Sequence, residues 1–112
     1  MNMRHLDLGN LGENTIAAKL KSEGFTILIQ NYKTRRGEID IIATKNELIC
    51  FVEVKTRNKA HVSMYEIITP TKQKRIVKAA LDFLRHHPHY LQYVCRFDVA
   101  LYEIETKNIN II

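Results

Sequence analysis

Two acids and a lysine stand inside segments that otherwise read as sheet interior: Asp40 within residues 37–43, and Glu53-Val54-Lys55 at the end of residues 48–55. Each segment is a run of β-branched or apolar residues, and charge buried there needs a partner or a task. The polar stretch Thr44-Lys45-Asn46-Glu47 between them marks a hairpin. Side chains alternate faces along a strand, so Glu38, Asp40 and Ile42 share one face, while Ile49, Phe51, Glu53 and Lys55 share a face of the partner. With Lys45-Asn46 as a two-residue loop, Thr44 pairs with Glu47, Asp40 falls opposite Phe51, and Glu53 lies one same-face step further on. A four-residue loop keeps that parity; a three-residue loop would part the acids. An even loop is expected.

Two carboxylates converging at that distance repel, and desolvation raises their pKa values further, so a bare pair tends to hold a proton between them. A divalent cation removes the conflict. An all-oxygen site suits Mg²⁺ or Mn²⁺ rather than zinc, and Mg²⁺ commonly takes one or two carboxylates, several waters and substrate phosphate oxygens. Lys55, two residues beyond Glu53, points at the same spot, where its ammonium could position a nucleophilic water or stabilise charge developing on a phosphodiester under attack. The competing structural reading makes Glu53 and Lys55 ordinary charges on a solvated sheet face. Against it, Leu48 to Val52 carry no charge, and Phe51 on the acid face argues that this face is covered.

Asp40 followed by Glu53-Val54-Lys55 resembles the PD-(D/E)xK motif of the restriction-endonuclease-like nuclease superfamily, with Ile39 in place of the motif's proline. The wider string is similar to one branch of it. Gly9-Asn10-Leu11-Gly12-Glu13, Gly24-Phe25, Asn31-Tyr32, Arg36-Gly37-Glu38-Ile39-Asp40, Phe51-Val52-Glu53-Val54-Lys55-Thr56-Arg57, Thr69-Pro70 and Lys72-Gln73 resemble the YraN-like family of small bacterial proteins. The order of acids is also similar to that of archaeal Holliday-junction resolvases. The resemblance implies that Asp40, Glu53 and the first-helix acid Glu13 hold the metal, that Lys55 is the motif lysine, and that Gln73 lies beside the site.

Periodicity independently supports the placements of Glu13 and Gln73. In a first helix over roughly residues 11–22 the apolar stripe is Ile16, Ala17 and Leu20, and Glu13 precedes the first two by three and four positions, so it faces inward. A first-turn acid also gains about 0.3–1 kcal/mol from the helix dipole, and both roles can hold together. A second helix, opened by Thr69-Pro70 or Thr71 and running to about His86, has the stripe Ile76, Val77, Ala80, Leu84, which Gln73 extends. Gln73 is thus expected to point at the sheet, or else to fray into water.

Basic residues crowd around these acids. The second helix carries Lys72, Lys74, Arg75, Lys78 and Arg85; Lys33, Arg35 and Arg36 precede Asp40, and Arg57 and Lys59 follow Lys55. With 17 Lys plus Arg against 12 Asp plus Glu, the formal net charge is +5, although several acids are assigned to the site. A basic rim about an acidic pocket suits a phosphodiesterase, the rim gathering backbone phosphates and the pocket cutting one. Arg36, Arg57, Lys59, Lys72, Lys74 and Arg75 are the candidate nucleic-acid contacts. Solubilising charge is the plainer reading for the helix face alone. Residues 56–68, polar and aperiodic, form a loop in which His61 and Tyr65 are further candidates for phosphate or base contact.

Residues 25–32 read as a first strand, 93–104 as a long strand after the second helix, and 107–112 as a short last one. The order αβββαββ makes an α/β sandwich: a central mixed sheet flanked by helices, with Glu53's strand joined through the second helix to a parallel neighbour by a right-handed crossover. The resemblance names this the restriction-endonuclease-like fold. At 112 residues a single domain over 1–112 is expected, small enough that a symmetric partner, a homodimer, would suit it. No run has signal or transmembrane character, so a cytoplasmic location and no membrane partner are expected. Cys50 and Cys95 lie in apolar strand patterns and read as buried hydrophobes. His86, His87 and His89 around Pro88 read as helix capping. Asp98 reads as a partner of Arg96 or as support for the site.

The reading that follows is a Mg²⁺-dependent (or Mn²⁺-dependent) endonuclease hydrolysing DNA phosphodiesters, branched or processed DNA included. Two others compete: a nucleic-acid-binding adaptor that keeps the fold without turnover, and a structural oligomer whose buried ion pairs specify packing.

Overall fold

The computed structural model describes residues 5–57 and 68–111, the first five of them as backbone alone. The order is α1 (His5–Ser22), β1 (Thr26–Lys33), β2 (Glu38–Lys45), β3 (Leu48–Arg57), α2 (Pro70–His86), a 3-10 turn (Pro88–Gln92), β4 (Val94–Glu103) and β5 (Ile109–Ile111). The strands form one sheet in the order β1-β2-β3-β4-β5. β1, β2 and β3 make an antiparallel meander, β4 runs parallel to β3 along its whole length, and β5 returns antiparallel. This is the mixed-sheet αβββαββ sandwich expected of the restriction-endonuclease-like fold.

Each helix covers one face of the sheet. Ile16, Ala17 and Leu20 of α1 pack with Ile41, Ala43, Cys50, Val52, Ala100 and Tyr102, while Ala79, Ala80, Phe83 and Leu84 of α2 pack with Ile39, Ile42, Ile49 and Phe51. The central strand β3 is therefore buried on both sides from Ile49 to Val52, which explains its unbroken apolar run. α2 begins as its sequence dictates. Thr69 Oγ1 accepts from Lys72 N at 3.2 Å, and Pro70 occupies the first turn, where its missing N–H costs nothing. It ends with His86 and His87 Nδ1 at 2.8 and 2.9 Å from the carbonyls of Asp82 and Phe83, before Pro88.

Several expectations change. α1 starts at His5, not at residue 11, and runs through both Gly9 and Gly12. Gly12 is tolerated because a Cβ there would overlap the Thr56 hydroxyl of β3, so the missing side chain lets the helix approach the sheet. The β2–β3 hairpin pairs Lys45 with Leu48, leaving Asn46-Glu47 as the two-residue loop. Asn46 takes the left-handed backbone (φ 55°) that an Asn accommodates, and Lys45 stays in its strand with Nζ 2.6 Å from the Glu23 carbonyl oxygen. Parity is unchanged, but Asp40 is carried opposite Glu53 rather than Phe51. Cys50 is buried as expected, whereas Cys95 is exposed, because α2 does not reach across β4.

Candidate functional site

Strand β2 breaks its alternation at Asp40. Ile41 and Ala43 pack beneath α1, whereas Ile39 joins Ile42 beneath α2. The ladder to β3 is paired only as far as Ile41 with Val52. Beyond it, Val54 N donates to Asp40 Oδ2 at 2.7 Å, so a carboxylate stands where a backbone carbonyl would accept. That exchange fixes Asp40 against β3 at the step where the two strands part. The Asp40 charge acts directly on the neighbouring Glu53 carboxyl.

Charge in this cluster is under strain. Burial, and then the Asp40 charge, push the Glu53 carboxyl up to about 7. Burial likewise raises Asp40, against the pull of the Val54 N–H. Lys55 is pushed down, first by burial and then by the adjacent Lys72 ammonium, with Glu53 opposing. Glu13, on the other side of the sheet and 7% exposed, also rises through burial and the nearby Asp40 charge. Gln30 Nε2 holds it, donating to Glu13 Oε1 at 3.2 Å.

Above the acids lies a cleft of about 410 Å³ between the β1–β2 turn and the first turns of α2. Glu38, Glu53 and Lys55 line it, with Arg35, Arg36, Lys72 and Arg75 as its basic rim. Gly37 closes one wall: a Cβ there would overlap the Arg75 carbonyl, so only glycine lets the turn lie on the helix backbone.

The sequence candidates divide accordingly. Asp40, Glu53, Lys55, Arg36, Lys72 and Arg75 come together, and Glu13 stands beside Asp40. Gln73 does not join them. It is exposed and its Nε2 donates to the Ile68 carbonyl at 3.4 Å. Lys74 is exposed on α2 and does not line the cleft. Arg57 is half-buried on β3, and its Nε is buried without a hydrogen-bond partner among the described residues. Lys59, His61 and Tyr65 lie outside the described residues. Asp98 binds Arg96 through both oxygens, Nε at 3.1 Å and Nη2 at 3.0 Å, and it aligns with Val52 on the α1 face, away from Glu53. Gln30 and Glu38 were missed as site residues; Glu38 shares Asp40's parity, while nothing in the local pattern of β1 marks Gln30.

Among the described residues, no three His, Cys, Asp or Glu side chains are spaced as a ready-made metal cage. What exists is a carboxylate pair with a third acid behind it. Two neighbouring carboxyl groups, all-oxygen and half-buried, fit a Mg²⁺ or Mn²⁺ ion that fills its remaining positions from water and phosphate.

Residues 12–101 match the profile of a family described as uncharacterised protein family UPF0102. A UPF0102 protein of Chlorobium phaeobacteroides is 47% identical over 94 residues, 83% of this chain and 74% of that protein. One of Acinetobacter baumannii is 38% identical over 101 residues, 89% of this chain and 76% of that protein. Among solved structures, an fdxN element excision controlling factor protein from Anabaena variabilis superposes with a TM-score of 0.42 at 13% identity, covering 90% of this chain and 96% of that one. Among the described residues no helix is long and apolar enough to cross a membrane. On the profile and on these identities, the chain belongs to the UPF0102 family.

Proposed function

We propose that this protein is a cytoplasmic, Mg²⁺-dependent endonuclease that hydrolyses DNA phosphodiesters. The observation that carries the reading is that Glu53 and Lys55 line a cleft whose rim is basic, with the Asp40 carboxylate acting on Glu53 from behind. Asp40 and Glu53 would hold the ion, with Glu13 as a neighbouring acid. Bound Mg²⁺ or Mn²⁺ supplies Lewis-acid stabilisation of the charge that gathers on the phosphoryl oxygens.

The chain's own groups supply the rest. Arg36, Lys72 and Arg75 on the rim grip the phosphates. Lys55, its pKa lowered by burial and by Lys72, reaches its neutral form more readily than an exposed lysine does. In that form Nζ accepts a proton from the attacking water. The water oxygen bonds to phosphorus, the bond to the sugar oxygen breaks, and the leaving oxygen is protonated from solvent.

Purified wild type with Mg²⁺ or Mn²⁺ should cut at least one of duplex, single-stranded, flap and four-way-junction DNA. Lys55→Ala should lose activity by about 10²–10⁴-fold, and Lys55→Arg should not restore it, since a guanidinium keeps its proton. Binding that persists in EDTA, with no cleavage by wild type and no effect of Lys55→Ala, would instead establish an adaptor.

A further inference from the structure

The cleft over the acids does not end at Arg75. A second cavity, of about 550 Å³, opens beyond it between the same β1–β2 turn and the later turns of α2. Thr34, Arg35 and Arg36 line both cavities, so the turn is their common wall. The opposite wall is one flank of α2. Lys72 and Arg75 line the first cavity and Lys78, Asp82 and Arg85 the second, at steps of three or four residues. Its single acid is already engaged: Tyr32 donates to Asp82 Oδ2 at 2.5 Å, and His86 Nδ1 lies 3.7 Å from the same oxygen.

The turn is also fixed in place before any ligand arrives. Thr34 Oγ1 accepts from the backbone N–H groups of Arg36 and Gly37, each at 3.1 Å, and Thr34 N donates to the Gly37 carbonyl at 2.8 Å. Two ordered basic walls face one another across a trough. From Lys72 to Arg85 the helix advances about 20 Å. A stacked strand rising about 3.4 Å per phosphate covers that length in about six nucleotides.

We propose that the second cavity is a phosphate-binding subsite, formed by Arg35, Lys78 and Arg85, for the same nucleic-acid strand that crosses Asp40 and Glu53, several nucleotides from the bond to be cut. It rests on the nuclease reading only for where cleavage falls. The consequence is a one-sided footprint: affinity rises with strand length until the chain reaches Arg85.

The test uses the full chain with metal chelated by EDTA, and fluorescence anisotropy of a labelled deoxythymidine trinucleotide and octanucleotide. Wild type should bind the octanucleotide more tightly. In the double variant Lys78→Gln/Arg85→Gln that length advantage should disappear, and the slope of log affinity against log salt should fall by about 1.4, near 0.7 per lost phosphate contact on a single strand. A charge-matched control, Lys21→Gln/Lys107→Gln, should keep both. Unchanged octanucleotide affinity in the trough variant, or equal losses in trough and control variants, would overturn the subsite. Because no metal is present, a protein that cuts nothing and still shows this difference retains the subsite while losing the nuclease reading.

Discussion

At Asp40 one carboxylate does two jobs, accepting the Val54 N–H at 2.7 Å and acting on Glu53. The two can be separated. Asp40→Ala leaves the Val54 N–H without its acceptor, which costs about 1–3 kcal/mol where that group stays buried. Asp40→Asn keeps an oxygen for it and removes a charge that Glu53 resists, so without metal it should be at least as stable as wild type. Urea midpoints of the three proteins in EDTA check this order. Glu53 gives a pH dependence. Its folded pKa of about 7 lies above its ordinary 4.5, so its contribution to stability is fully present below pH 4.5 and is lost as pH rises through about 7. Metal-free protein should therefore melt lower at alkaline than at mildly acidic pH, and Glu53→Gln should flatten that slope. Added Mg²⁺ should restore the loss at high pH only in wild type.

At the scale of elements, the close approach of α1 to β3 depends on Gly12. Alanine for glycine inside a helix ordinarily gains about 1 kcal/mol. Here the new Cβ would overlap the Thr56 hydroxyl, and overpacking of this kind costs about 1–3 kcal/mol. Gly12→Ala should thus destabilise, and Thr56→Ala in the same chain should turn the sign, as a double-mutant cycle of melting temperatures would show. The same glycine explains what the sequence concealed. α2 was legible at both ends, because Thr69, Pro70 and Pro88 act through local chemistry alone. The start of α1 was not, since Gly9 and Gly12 look like helix breakers until the neighbouring strand is in view. The hairpin register was one residue off for a related reason: Asn46 rather than Lys45 takes the turn's positive φ, while Lys45 is held in its strand by Glu23, twenty-two residues away. Parity survived because it depends only on the loop being even. Gln73 took the second of its two expected positions, facing water, with its amide turned back to the Ile68 carbonyl.

For the whole molecule, the sheet order decides what meets what. The parallel crossover from β3 to β4 lays α2 along one face and brings its basic flank against the β1–β2 turn, so residues 33–37 and 72–85 form two walls of one trough. The twist of β2 at Asp40 admits Glu13 from the opposite face, which strict strand alternation forbids. Neither juxtaposition is local in sequence. The acids and the lysine were visible as charges out of place; their setting, with Gln30 behind Glu13 and Lys72 beside Lys55, appears only once the layers close.

Calorimetric titration of Mn²⁺ into the wild type, Asp40→Asn and Glu53→Gln proteins, at a pH just below the Glu53 value of about 7, bears most directly on the acid pair as a cation seat. Saturable binding to wild type, accompanied by proton release that scales with buffer ionisation enthalpy and absent from both variants, is the expected result. No binding to wild type, or binding that survives both substitutions, would contradict it.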